Sequence, residues 1–79
     1  MGLAKTEQEW AERAARHIKA ELKRADLTYE ELADRLKKHG QSETKASIAN
    51  KLSRGTFSAV FFLATLAALG LDNIPLGDV

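Results

Sequence analysis

Apolar residues recur along this chain at helical spacing in four separate runs. Trp10, Ala14, Ile18 and Leu22 fall four apart, with Ala11, Ala15 and Ala25 beside them, which predicts a long amphipathic helix over about 6–25. Thr6-Glu7-Gln8-Glu9 fits a capping box, in which the Thr6 hydroxyl accepts from the Glu9 backbone and Glu9 reaches back. Glu9–Arg13 and Glu12–Arg16 stand four apart in the favourable order, each adding a few tenths of a kcal/mol. Trp10, the single Trp, is expected to anchor the core.

The second run opens on another capping box, Thr28-Tyr29-Glu30-Glu31, with Leu27 and Leu32 placed for a hydrophobic staple. It predicts a helix over 28–39 that turns Leu32, Ala33 and Leu36 inward. Gly40 can take the left-handed conformation that ends it, and Lys37, Lys38 and His39 suit the negative end of the helix dipole. Gln41, Ser42 and Glu43 form a polar turn, and Ser42 or Thr44 caps a third helix over 44–54. Ile48, Ala49 and Leu52 share its inner face. Ala46, Ser47, Asn50, Ser53 and Arg54 lie opposite, Lys51 stands on one flank, and Gly55 closes the helix.

The last run predicts a helix over 57–69, started by Thr56 or Ser58 and apolar on every side. A surface helix of a small domain is amphipathic, so an all-apolar one needs cover on all sides. Cover by a second copy, in a twofold homodimer with Val60, Phe61 and Ala64 at the interface, is the expected arrangement. Cover by the long first helix is the other. Leu71, Ile74 and Leu76 around Pro75 predict a short turn or 3₁₀ segment over 71–76.

Composition narrows the function. The chain's 79 residues allow one small domain. Cysteine is absent, which removes disulfides and thiolate metal sites and fits a reducing, cytoplasmic location. His17 and His39 lack metal-ligand spacing, so neither a metal nor a cofactor is expected. The apolar run 59–71 is too short to span a bilayer, and no signal-peptide pattern precedes it, so no membrane partner is expected. Met1 through Thr6 matches a loose myristoylation pattern of a kind that arises often by chance. Gly-rich phosphate loops, nucleophile elbows and paired carboxylates in apolar settings are missing, which argues against an enzyme, and no small-molecule ligand is indicated.

Charge is unevenly spread. The net charge is +1, yet positions 35–54 hold six basic residues against Glu43 alone, a local +5 that leaves −4 elsewhere. Such a patch is the footprint of a polyanion binder.

Three stretches now carry a family resemblance: Leu27-Thr28-Tyr29-Glu30-Glu31-Leu32-Ala33-Asp34-Arg35-Leu36, then 48–55, then 58–71. With the first helix they span roughly 15–75, and there the chain resembles lambda-repressor-like helix-turn-helix domains of the Cro and C1 type. It is also similar to a small uncharacterised bacterial family of this pattern. The resemblance implies an all-α, compact bundle of four to five helices that binds double-stranded DNA as a homodimer, in the manner of a transcriptional regulator. The third helix would enter the major groove and the second would cross the backbone. Base contacts would fall on Lys45, Ala46, Ser47 and Asn50, and phosphate contacts on Lys37, Lys38, Lys51 and Arg54. Three departures stand out: a longer turn before the third helix; a four-residue spacing of Ile48 and Leu52 where three is usual, which Ala49 and Leu52 would restore; and Val60, Phe61 and Ala64 in the fourth helix where the family more often has polar residues. The alternative function is a protein-interaction module of the same fold that uses the apolar helix 57–69 without specific DNA binding.

Overall fold

Hydroxyl side chains set the start of every α-helix in the computed structural model, which describes residues 2–79. The helices are α1 (Glu7–Ala25), α2 (Tyr29–Lys37), α3 (Lys45–Arg54) and α4 (Ala59–Ala68), followed by a 3₁₀ turn at Leu76–Asp78. No strand occurs among the described residues. Thr6, Thr28, Thr44 and Ser58 each accept from the backbone N–H three residues on, at 3.0–3.1 Å. Two of these caps are reciprocal: Glu31 accepts from the Thr28 N–H at 3.0 Å, and the Ser47 hydroxyl from the Thr44 N–H at 2.8 Å. Glu9 departs from the expected box, because its carboxylate accepts from the Lys5 N–H at 2.9 Å instead of from Thr6.

The helix ends differ from expectation at α2 and in the tail. Helix α2 stops at Lys37 rather than 39, and Lys38, His39 and Gly40 form a turn in which the His39 N–H donates to the Leu36 carbonyl at 2.9 Å. The 3₁₀ turn falls at 76–78 rather than 71–76, because Pro75 has no N–H to donate and can only stand at its start. Helix α3 ends where Gly55 enters the left-handed region at φ 76 and donates to the Lys51 carbonyl at 3.0 Å.

Packing sets α1 and α2 each against both α3 and α4. The core is made of Ile18 and Leu22, Leu32 and Leu36, Ile48 and Leu52, and Phe61, so every helix contributes. Each such side chain, once buried, stabilises the fold by about 1.5–3 kcal/mol before entropy is counted. Trp10 is not among them. It is 39% exposed, because only the middle and C-terminal part of the α1 stripe (Ala15, Ile18, Leu22) reaches the core. Its end of the helix borders an open groove of about 1000 Å³ shared with Leu52, Arg54 and Phe57.

Helix α4 is covered on one side by its own chain. Phe61, Thr65, Leu66 and Ala68 are buried, while Val60 and Leu63 are 61% and 63% exposed. Phe61, expected at a subunit interface, is only 1% exposed and belongs to the core, since both α1 and α2 pack on this helix. Ala64 is half-buried and Ala67 exposed, so the outward stripe is Val60, Leu63 and Ala67 with Ala64 at its edge. No helix among the described residues is long and apolar enough to cross a membrane.

One core group is out of keeping with its surroundings. Thr65 is fully buried, and its hydroxyl has no hydrogen-bond partner. An unmet buried hydroxyl costs on the order of 1–3 kcal/mol, and valine has the same shape without it. Thr65→Val should therefore raise the unfolding free energy by about 1 kcal/mol in urea titration. A drop in the midpoint would show that the hydroxyl makes a contact after all.

Candidate nucleic-acid interface

Helix α3 presents two unlike faces. Ile48 and Leu52 are buried and Ala49 is half-buried, which fixes the helix against α1 and α2. At about 100° per residue, Ala46, Asn50 and Ser53 fall within roughly 60° of one another on the opposite side. All three are exposed, as are Lys45 and Arg54 on the two flanks. The outer face is thus narrow, uncharged and made of small polar or apolar side chains, with a cation on each side.

The cations predicted to touch the nucleic acid, at bases or at phosphates, divide into two sets. Lys37, Lys38, Lys45 and Arg54 are exposed. Lys37 stands 3.5 Å from Asp34, and Lys45 stands 3.7 Å from Glu30 on α2. Ion pairs this long and this open are worth little, so either lysine can exchange its carboxylate for another anion. Arg54 donates one hydrogen bond to the Thr56 carbonyl at 3.3 Å and keeps its other donors.

Lys51 belongs to a different environment. Its ammonium donates to the Glu43 carboxylate and lies 4.7 Å from the centre of the Phe61 ring. Its side chain is 28% exposed and that of Glu43 only 8%. The expected phosphate role for Lys51 is therefore corrected: its charge is spent inward, on a carboxylate and an aromatic face. Burial pushes the Glu43 carboxyl up. The hydrogen bonds from Lys51 and Ser47, with the Lys51 charge, outweigh burial and hold the group below its ordinary value.

Ser47 is also less available than its place in the first turn suggests. Its hydroxyl donates to Glu43 at 2.7 Å and accepts from the Thr44 N–H, and the residue is half-buried. Of the residues predicted to read bases, Lys45, Ala46 and Asn50 lie on the surface and Ser47 is engaged in holding the helix start. Sequence reasoning passed over Glu43 as the anchor of this arrangement. The signal was present: positions 43, 47 and 51 repeat every four residues, one face of a helix extended by one turn.

The field around α3 is tempered. Positions 30–54 carry six cationic side chains and four carboxylates, Glu30, Glu31, Asp34 and Glu43, a net +2. The exposed cations flank the helix while two of these carboxylates, Glu30 and Asp34, stand beside them on α2. No curated protein and no solved structure matches the chain. A family model does match it over residues 10–74, which takes in all four helices apart from the first turn of α1. The chain belongs to the family described as a domain of unknown function, DUF6471.

Proposed function

We propose that the chain is a DNA-binding protein of the lambda-repressor-like helix-turn-helix type, a transcriptional regulator that docks α3 in the major groove. The observation that carries this reading is the outer face of α3: Ala46, Asn50 and Ser53 exposed between Lys45 and Arg54. Small side chains let a helix approach base edges closely, and Asn makes a paired contact with adenine. Lys37, Lys38, Lys45 and Arg54 then meet phosphates, which position the helix without reading sequence. With Lys51 turned inward, four cations per copy are available, so log affinity should fall with log salt at a slope of roughly −3 to −4 per copy.

Electrophoretic shift on a random duplex at low salt tests the reading. Binding that fades with added salt is expected, and no retardation at any protein concentration would end it. After site selection, Asn50→Ala should cost about 1–3 kcal/mol at one base position, whereas Lys38→Gln should weaken all sequences alike.

The reading includes a homodimer. Val60, Leu63 and Ala67 form an uncharged outward stripe, and a stripe without charge is complementary to its own copy across a twofold axis. Two copies would read two half-sites about one helical turn apart. Light scattering should give twice the chain mass for the wild type and the single-chain mass for Leu63→Glu with helicity retained. A wild type of single-chain mass would remove the dimer from the proposal. If duplex binding fails while the paired mass persists, the interaction-module reading through α4 takes its place.

A further inference from the structure

Given the DNA-binding reading of α3, on which this step rests, we infer that Glu43 and Lys51 are positioning residues for base reading. Their ion pair sets the rotation of α3 about its axis, and with it the direction of Asn50, without touching nucleic acid. Glu43 lies in the turn ahead of α3. Its carboxylate accepts from two points along the helix, the Ser47 hydroxyl in the first turn and the Lys51 ammonium one turn further on. The Ser47 hydroxyl also accepts from the Thr44 N–H, which ties the helix cap to the same carboxylate. Lys51 extends the chain of contacts to the face of Phe61 on α4. Helix α3 packs on α1 and α2 and makes no close backbone approach to α4 among the described residues. The Lys51 side chain therefore links two helices whose backbones do not meet.

The pair supplies what the apolar contacts of α3 lack. Ile48 and Leu52 bury the helix, but apolar attraction is non-directional and leaves the helix some freedom to turn. A charge-assisted hydrogen bond has a preferred distance and angle. Lys51 is the next residue after Asn50, about 100° around the helix, on the flank between the outer face and Ile48. A side-chain tip about 5–6 Å from the axis moves by about 2 Å when the helix turns by roughly 20°. A shift of that size breaks a paired contact to a base edge, whose hydrogen bonds need about 2.7–3.2 Å. Lys37 and Lys38 stand at the end of α2 and do not turn with α3, so their phosphate contacts persist. Loss of the pair should therefore lower sequence preference more than affinity for duplex in general.

The test compares a duplex recovered by site selection with a random duplex of the same length, for the wild type, Glu43→Gln, Lys51→Met and Lys51→Arg. Global destabilisation lowers the folded fraction and weakens binding to both duplexes by one factor, so the ratio of the two affinities isolates positioning. The ratio should fall at least about fivefold in Glu43→Gln and in Lys51→Met. It should stay within about twofold in Lys51→Arg, which keeps a cation for Glu43 and for the Phe61 ring. An unchanged ratio in both of the first two variants, or a wild type with no sequence preference, would overturn the inference. The salt slope of Lys51→Met should match that of the wild type, and a slope shallower by about 0.9 would put Lys51 on a phosphate and overturn it equally. Hydrogen exchange in the free chain separates this failure from that of the DNA reading. Relative to the Leu36 amide, the Ser47 and Ile48 amides should exchange about tenfold faster in Lys51→Met, because the start of α3 has lost its anchor. Unchanged relative exchange with duplex binding intact sinks the positioning role alone. A wild type that retards no duplex ends the DNA reading and the reading role of the pair together, while exchange still decides whether the pair holds α3.

Discussion

Phe61→Ala should cost about 3–5 kcal/mol of unfolding free energy, a large share of the stability of any domain this small. The ring is 1% exposed and meets an aromatic ring and a cation at once. Phe57 approaches edge-on with centroids 5.3 Å apart and an interplanar angle of 62°, and the Lys51 ammonium sits 4.7 Å from the ring centre. Truncation leaves a cavity on which α1 and α2 both border, and it removes the aromatic face that Lys51 uses. Leu63→Ala, two residues away in sequence but on the outward stripe, should change the single-chain stability by less than about 0.5 kcal/mol. Urea unfolding of both variants at a concentration where the chain is single makes the comparison. A mild Phe61→Ala effect, similar to that of Leu63→Ala, would mean that α4 is not held as described.

Glu43→Gln should be the next most costly change, by about 2 kcal/mol. Removing one partner of a fully buried ion pair costs about 3–5 kcal/mol, and the remaining exposure of Lys51 lowers that figure. Glutamine keeps the shape but only one acceptor, so the charge is lost together with one of the two hydrogen bonds that Ser47 and Lys51 donate to the carboxylate. The pH dependence follows from the same contact. The Glu43 carboxyl is held below its ordinary value of 4.5 in the fold. Its contribution is complete above 4.5 and is lost as pH falls through the lowered folded value, so the wild type weakens in that acid range. Glu31 acts in the same direction, because the Thr28 N–H and hydroxyl and the Arg35 charge hold its carboxyl low. The Glu43→Gln curve should therefore be flatter below pH 4.5 while keeping a residual slope from Glu31. An unchanged slope would detach Glu43 from the acid response.

The readable parts of this chain were those decided within a few residues. Thr28 and Glu31 announce a helix start by their spacing alone, and the structure has both hydrogen bonds. Ile18, Leu32 and Ile48 lie in the core because a period of 3.6 puts them there wherever the helices meet. Trp10 shows where periodicity stops informing: it shares the α1 stripe with Ile18, yet the stripe extends beyond the helices that cover it. Periodicity gives a face, and only the lateral placement of α3 and α4 decides which part of that face is buried. Lys51 illustrates the same limit for charge. Counted along the chain it joins a basic cluster, but the cluster also holds Glu43, and their separation by two helical turns aligns the two side chains. Helix α4 is uniformly apolar, so its own sequence could not distinguish Phe61 from Val60.

The hydroxyl caps of Thr6, Thr28, Thr44 and Ser58 also bear on how quickly the chain reaches its form. Nucleating a helix is the unfavourable step, since several backbone angles must be fixed before a single bond repays them. Here every start is marked inside one turn of sequence, so the position of each nucleus does not wait on distant encounters. Small helical proteins built this way complete folding in about microseconds to milliseconds, and this chain should fall among the fast ones.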